Sequence, residues 1–405
     1  MTNQERIQRR IARDKARKAE RRKELSKNYG NFDKIVSHQA FHKSLKKRRR
    51  NTEWKGSVQR YIQHAIIKIK RAIDSLRKGK LNLNQAPRHL TIVERGKRRD
   101  CNAVMIDARV IQGAVCDSGI TPSIDKSLIY DNPASTKGKG VEHARKRIMR
   151  QLRNSIRNFG TEFYILTYDF TNFFGSLKHS LCLERLQKAG FDERLQALTM
   201  ELIRMYHRQD ISLLKDSELS KQLTWELENN LAAGATLGSQ ISQDMAKVTP
   251  NDLDHRIKDK ERVKSYIRYM DDGELQDKSK GHLKQLLETV REECRKLGLT
   301  LNAKKTRITK STRGFLFLKI RYTITKTGGI IRQMDREGFI RMRRKLKKFR
   351  AKVDKGEMTL DDVFSSFKSW FGNAKKIAQT YRSRKRMLNL YNDLFKCYKT
   401  GGMVA

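Results

Sequence analysis

No apolar run in this chain approaches the roughly 18 residues that a membrane-spanning helix needs, and the basic N-terminus lacks the apolar core of a secretory leader. Both absences argue against a membrane protein, and the expected location is the cytoplasm. Cysteine is sparse too. Cys101, Cys116, Cys182, Cys294 and Cys397 are scattered, odd in number and without a Cys-x-x-Cys pair. They speak against a disulfide framework or a cysteine zinc site and suit a reducing compartment. Acidic charge is the most conspicuous deficit: 44 Asp+Glu face 90 Lys+Arg, a formal net charge of +46. Such an excess repels itself in a compact state, so a polyanionic partner is expected, and nucleic acid suits it better than a membrane surface. Hydrophobic content is only 37% and no internal repeat is visible, but 405 residues leave room for two or three subdomains and a substantial core.

The most informative stretch is Tyr266-Ile267-Arg268-Tyr269-Met270-Asp271-Asp272. Two adjacent carboxylates follow a short β-favouring run, and Gly273 comes next, which reads as strand, tight turn and returning strand. Partly buried neighbouring carboxylates repel each other unless a cation lies between them, and a hard divalent ion such as Mg²⁺ is the natural choice. An isolated Asp-Asp pair is more often a solvated turn, so the rest of the chain has to decide.

Residues 1–50 hold 18 Lys+Arg against 5 Asp+Glu and little that could form a core, so they read as helical arms on a nucleic acid or as solvated tails. From Trp54, Val58, Ile62, Ile66, Ile69 and Ile73 recur at helical spacing up to about Gly79. Leu90-Thr91-Ile92-Val93, a basic turn around Gly96, and Ala103-Val104-Met105-Ile106 predict a hairpin. Lys97 and Arg99 on its returning side could grip a triphosphate or simply solvate the turn. Ala108 to Cys116 predicts a helix. Lys137-Gly138-Lys139-Gly140 opens another, through Val141, Ala144, Ile148, Leu152 and Ile156, and suits either a phosphate backbone or an ordinary helix start.

Phe163 to Phe170 is the strongest strand signal and delivers Asp169 near its end, a position for a metal ligand or a helix cap, with Phe173-Phe174 following where a helix should begin. Residues 208–230 are polar and aperiodic and read as a surface excursion. Gly234 to Gln243 is a flexible turn entering a helix. A helical stripe from Leu283 to Leu297 ends at Gly298. Leu299-Thr300-Leu301-Asn302, Lys304-Lys305-Thr306 and a strand pair from Phe315 to Ile331 follow. Residues from about 332 are basic and helical, with anchors such as Phe349, Phe367, Trp370 and Tyr391.

Lys97/Arg99, Asp169 to Phe174, Gly238 with Ser242-Gln243, Tyr269-Met270-Asp271-Asp272, Lys305-Thr306 and Phe317-Leu318 stand in an order that resembles the reverse transcriptases, from about Trp54 to Tyr398. The resemblance implies an α+β right-hand polymerase with fingers, a palm of antiparallel sheet plus helices, and a helical thumb. Its expected layout is a basic extension over 1–53, fingers and palm over 54–325, and a thumb over 326–405. It implies that Asp169, Asp271 and Asp272 are catalytic and, with Phe170, hold two Mg²⁺ ions, for which Mn²⁺ could substitute. It further implies that Lys97, Arg99, Phe170, Phe174, Gly238, Gln243 and Lys305 surround the dNTP. In that scheme Phe174 is the steric gate against a ribose 2′-OH and Lys305 a proton donor to pyrophosphate. The implied partners are dNTPs, an RNA template and the RNA/DNA hybrid.

Leu237 and Gln243, where retroviral and group II intron enzymes typically have Gln and Pro, are similar to the enzymes of diversity-generating retroelements. That likeness adds a structured non-coding RNA, a small basic accessory protein and a prokaryotic cytoplasm to the expectations. Gly273-Glu274 after the Asp pair, Lys319 in place of a turn glycine, the 208–230 excursion and the long basic N-terminus depart from that pattern. Defence-associated reverse transcriptases, which act against phage, vary in these ways. A third reading is a non-catalytic RNA-binding scaffold on the same fold.

Overall fold

The computed structural model describes residues 3–81, 87–94, 97–212, 214, 217–236 and 238–396. Gly96, Leu237, Cys397 and Tyr398 lie outside them.

The sheet that positions the site is built from β3 (Tyr164–Thr171), β4 (Tyr266–Tyr269), β5 (Asp272–Asp277), β6 (Thr300–Leu301) and β7 (Arg307–Lys310). The fingers hairpin pairs β1 (Arg88–Glu94) with β2 (Lys97–Ala103). A second small sheet joins β8 (Phe315–Phe317), β9 (Ile320–Ile324) and β10 (Ile330–Met334). In the main sheet the order is β4-β5-β3-β6, every pairing is antiparallel, and β7 pairs with the N-terminal half of β3. β3 is central because its apolar run is buried on both faces. Leu166, Tyr168 and Phe170 meet the helix Lys280–Leu297 through Leu283, Leu286 and Val290. Phe163 and Ile165 meet the helix Val141–Phe159 through Ala144, Ile148 and Leu152. Ser279 caps the first of these helices, and Gly298 ends it in the left-handed region at φ 65°.

The thumb is three helices, Arg336–Asp354, Leu360–Lys375 and Tyr381–Phe395, around Leu346, Val363, Phe367 and Tyr391. The Phe367 and Tyr391 rings stack 4.5 Å apart at 3°, while the many bases face solvent.

Several expectations change. Residues 1–50 do contribute core: Phe32, Ile35, Val36, Phe41 and Leu45 pack with Val110, Ile111 and Ile120 under the fingers. The helix Asn3–Tyr29 precedes them and is tied down near its end, where the Ser26 hydroxyl donates to the Gly190 carbonyl at 2.5 Å. The helix expected from Trp54 to Gly79 is two, Gly56–Gln63 and Ala65–Arg77. The break at His64 leaves Ile66 exposed while Ile69 and Ile73 stay buried. β2 begins at Lys97 and ends at Ala103, and Ile106 already starts the helix Ile106–Val115. The described part of the aperiodic excursion is largely helical, in Glu193–Ser212 and Ser217–Glu228. The expected strand pair from Phe315 is three-stranded.

Two departures from the family pattern have structural reasons. Gly273 lies opposite Tyr168, and a Cβ there would come within 2.1–2.5 Å of that ring, so no larger residue fits. Leu318 and Lys319, at φ 46° and 64°, are the two central residues of the β8–β9 hairpin. Both are left-handed, as a type I′ two-residue loop requires, and Lys319 accepts that strain where glycine would have none.

Candidate active site

β3 and β5 are in register so that Asp169 lies directly across from Asp272, and the β4–β5 turn presents Asp271 beside them. The turn is tight. Tyr269 pairs with Asp272, leaving Met270 (φ 55°) and Asp271 as its central residues. The Asp271 carbonyl accepts from the Phe170 amide at 3.2 Å, and the Asp169 carbonyl accepts from the Asn302 amide at 2.8 Å. Three carboxylates are thereby fixed by backbone, two on neighbouring strands of one sheet and one in the turn between β4 and β5.

Their charges are poorly tolerated. Burial first, then Asp169, pushes the Asp271 carboxyl above the usual range. Burial, Asp271 and Asp169 together raise Asp272 to about 8. Among the described residues, no set of His, Cys, Asp and Glu side chains forms a preformed metal cage. A protein cation stands there instead: the Lys305 ammonium donates to Asp169 Oδ2 at 2.5 Å. Partial burial of Lys305 works against its charge, but Asp169, Asp272 and Asp271 outweigh that and raise its pKa. A repelling carboxylate cluster that draws in a lysine is the donor set a divalent cation would suit.

The turn rests on a buried polar network that the sequence reading missed. Arg268, wholly buried, donates from Nε and Nη2 to the two oxygens of Asp254, each at 2.7 Å. Its Nη1 donates to the Met270 carbonyl at 2.9 Å and Nη2 to the Lys247 carbonyl at 2.8 Å. One guanidinium therefore joins the carboxylate turn to the helix Gln240–Val248. Tyr266 adds its hydroxyl to Asp254 at 2.7 Å and meets the Tyr168 hydroxyl at 2.8 Å. The available signal was a lone arginine inside an apolar strand, which needs a buried counter-charge.

The other expected residues divide. Arg99 lies on β2, opposite Ile92, close enough for its charge to lower the Asp271 carboxyl against the larger effects above. Lys97 heads the same strand, opposite Glu94. Gly238, at φ 101°, leaves only 4.0 Å between the place of a Cβ and the Asn102 carbonyl of β2, so loop and fingers meet there. Gln243 lies on the helix Gln240–Val248, where its Oε1 accepts from the Ser135 hydroxyl at 3.4 Å. Phe174 is half-buried, its ring edge-on to Phe173 at 5.8 Å. The Phe170 ring is buried in the core of the sheet, so any part it plays at the site falls to its main chain.

Glu274 is a buried acid with no evident role. It shares the face of Asp272, its two oxygens make no hydrogen bond of good geometry among the described residues, and burial pushes its carboxyl up to about 8 against the opposing effect of the Gln276 amide beside it. An acid raised in the folded state binds protons more tightly there. Stability is therefore unaffected by this group below its ordinary value of 4.5 and falls as pH rises towards about 8. Glu274→Gln should melt higher than the parent at pH 8.5, by on the order of a few kcal/mol, with the gap closing at pH 5. Melts at the two pH values check this, and an equal offset at both would refute it.

The family model for "Reverse transcriptase (RNA-dependent DNA polymerase)" matches residues 89–321. No curated protein matches. Among solved structures, telomerase from Candida albicans with a fragment of telomeric RNA is 12% identical at a TM-score of 0.41, covering 77% of this chain and 59% of that one. Apo telomerase from Candida tropicalis, truncated from its C-terminal domain, is 12% identical at 0.40, covering 67% and 60%. The chain thus spans about three fifths of the length of each.

Proposed function

The chain belongs to the reverse transcriptase family, and from that premise we propose that it copies RNA into DNA by metal-dependent nucleotidyl transfer. The observation that carries the reading is the register of Asp169 against Asp272, with Asp271 in the adjoining turn and a lysine drawn among them. Asp169 and Asp271 would hold two Mg²⁺ ions, with Asp272 as supporting charge. Bound there, the ions would acidify a primer 3′-OH and neutralise the departing pyrophosphate. The protein's own share is positioning. The Arg268 network fixes the turn, Arg99 on β2, the strand that Lys97 heads, approaches from the fingers side to meet a triphosphate, and the Gly238 loop and Gln243 border the templating base. Lys305, an ammonium held beside Asp169, would supply a proton to the leaving pyrophosphate. Primer extension with dNTPs on an RNA template, in Mg²⁺ and in EDTA, tests the reading. RNA binding without incorporation would favour the non-catalytic scaffold.

The biological role we infer is that of a diversity-generating retroelement in a prokaryotic cytoplasm, working with a structured RNA and a small basic accessory protein; a defence role is the alternative. Support comes from Leu237 and Gln243. Gln243 lies in the first turn of the helix Gln240–Val248, where its amide can offer donor or acceptor; proline would offer neither and would give up the backbone bond to the Ser239 carbonyl, and we take the freer amide to loosen the check on the nascent pair. The expected result is misincorporation enriched opposite template adenine, reduced in a Leu237→Gln, Gln243→Pro double variant that still polymerises. Sequencing cDNA made from a defined RNA measures it. A flat error spectrum would favour defence.

A further inference from the structure

Behind Phe174 the chain forms a narrow backbone ribbon. The Ala235 amide donates to the Phe174 carbonyl at 2.8 Å, the Gly234 amide to the Leu177 carbonyl at 2.8 Å, and the His179 amide to the Ala232 carbonyl at 2.9 Å. Lys178 and Ala233 form a bridge between these bonds. Residues 232–235 and the segment that carries Phe174 are therefore tied together through their backbones.

Two histidines hold that ribbon at a single atom. His179 Nε2 lies 3.0 Å from the Gly234 carbonyl oxygen and His207 Nε2 lies 2.8 Å from the same oxygen. Their rings are 4.8 Å apart at 73°. A carbonyl only accepts, so both rings carry the proton on Nε2. His179 is fully buried and its Nδ1 has no partner among the described residues. Burial, with the neighbouring His207, holds its pKa down to about 4 and keeps it a neutral donor. The fit is close: Gly234 sits at φ 119°, and a Cβ there would come within 2.9 Å of His207 Cε1. His207 comes from the helix Glu193–Ser212, which also anchors the start of the ribbon where Arg204 donates to Asn230 Oδ1 at 2.6 Å.

We propose that His179 and His207 are positioning residues for sugar selection: by pinning the Gly234 carbonyl they set the height of the Phe174 ring under the incoming nucleotide. Neither touches the nucleotide. The inference rests on Phe174 being the steric gate, and it gives the helix Glu193–Ser212 a part in choosing the substrate.

The test compares kcat/KM for a dNTP and the matching rNTP on one primer–RNA template, using the full chain. His207→Phe keeps a ring and removes the donor, and His207→Gln returns a donor at the place of Nε2. The dNTP preference should fall roughly tenfold in His207→Phe, the size of one lost buried hydrogen bond, and recover in His207→Gln. A merely structural role would lower the melting temperature and both rates together, leaving the ratio in place. Should His207→Phe not fold, His207→Asn, one bond too short to reach Gly234, gives the same reading. An unchanged ratio in a folded variant, with Phe174→Ala still admitting rNTPs, overturns the proposal and leaves the gate standing. An unchanged ratio in Phe174→Ala itself overturns the gate and this proposal with it.

Discussion

Asp169→Asn is expected to lower Mg²⁺-dependent dNTP incorporation by on the order of a thousandfold or more, because a charge aimed at the reacting centre is lost from a partly dry site. The fold should survive. Asn is nearly isosteric, its carbonyl can still accept from Lys305, and the backbone bond from Asn302 to residue 169 does not involve the side chain. Removing one of three repelling carboxylates also relieves Asp271 and Asp272, both of which Asp169 helps to push up. In EDTA the variant should therefore melt no lower than the parent, and RNA binding should stay close to the parent's. Activity and melting thus move apart, which separates a catalytic acid from a structural one. Near-parental incorporation by Asp169→Asn would end the palm assignment. A large fall in melting temperature would mean that this acid is part of the core.

What the sequence disclosed follows from where its signals are strong. β3 is apolar enough to be buried on both faces, and its acid and the Asp pair are recognisable because few other residue types could replace them. A strand for Asp169 and a neighbouring hairpin turn for Asp271 were legible, but the register that sets Asp169 across from Asp272 was not. β2 was misplaced because Lys-Arg-Arg-Asp-Cys-Asn-Ala carries no apolar stripe: Arg98, Arg99 and Asp100 are exposed and the side chain buried near its end is the polar Asn102, so hydrophobic alternation has nothing to record. The core at Phe32 to Leu45 was hidden for the opposite reason. Its apolar residues are divided between two short helices and crowded by lysines, so no single stripe emerges. Ile66 fitted the helical spacing and is exposed, since a break at His64 resets the phase. Arg268 with Asp254 and His179 with His207 were out of reach, because each pair joins residues 14 or 28 positions apart through the fold, and nothing in either local stretch requires the other.

Phe174→Ala is expected to bring the largest change in which nucleotide is used. Phe174 is half-buried, opens a single helical turn over Phe174–Ser176 and has its ring braced edge-on by Phe173. Phe173 is in turn packed on Phe170 at 5.2 Å, so the Phe174 ring is backed by the core of the sheet. A ring held this firmly cannot swing aside for an extra hydroxyl, and steric rejection of that kind is worth a few kcal/mol. Trimming the ring should cut the preference for dNTP over rNTP by about a hundredfold, mostly through a gain in rNTP kcat/KM, with dNTP use falling much less. Phe174→Val should fall between the two, since it removes the reach of the ring but keeps a branched wall. Single-nucleotide incorporation assays with matched dNTP and rNTP on one RNA template would measure both. Melting temperatures of the variants should stay within a few degrees, because Phe174 is only half-buried and its loss leaves Phe170 and Phe173 packed on each other. If both variants keep the parental ratio while remaining active, the 2′-OH is read elsewhere, and the bracing of Phe174 by Phe173 serves packing alone.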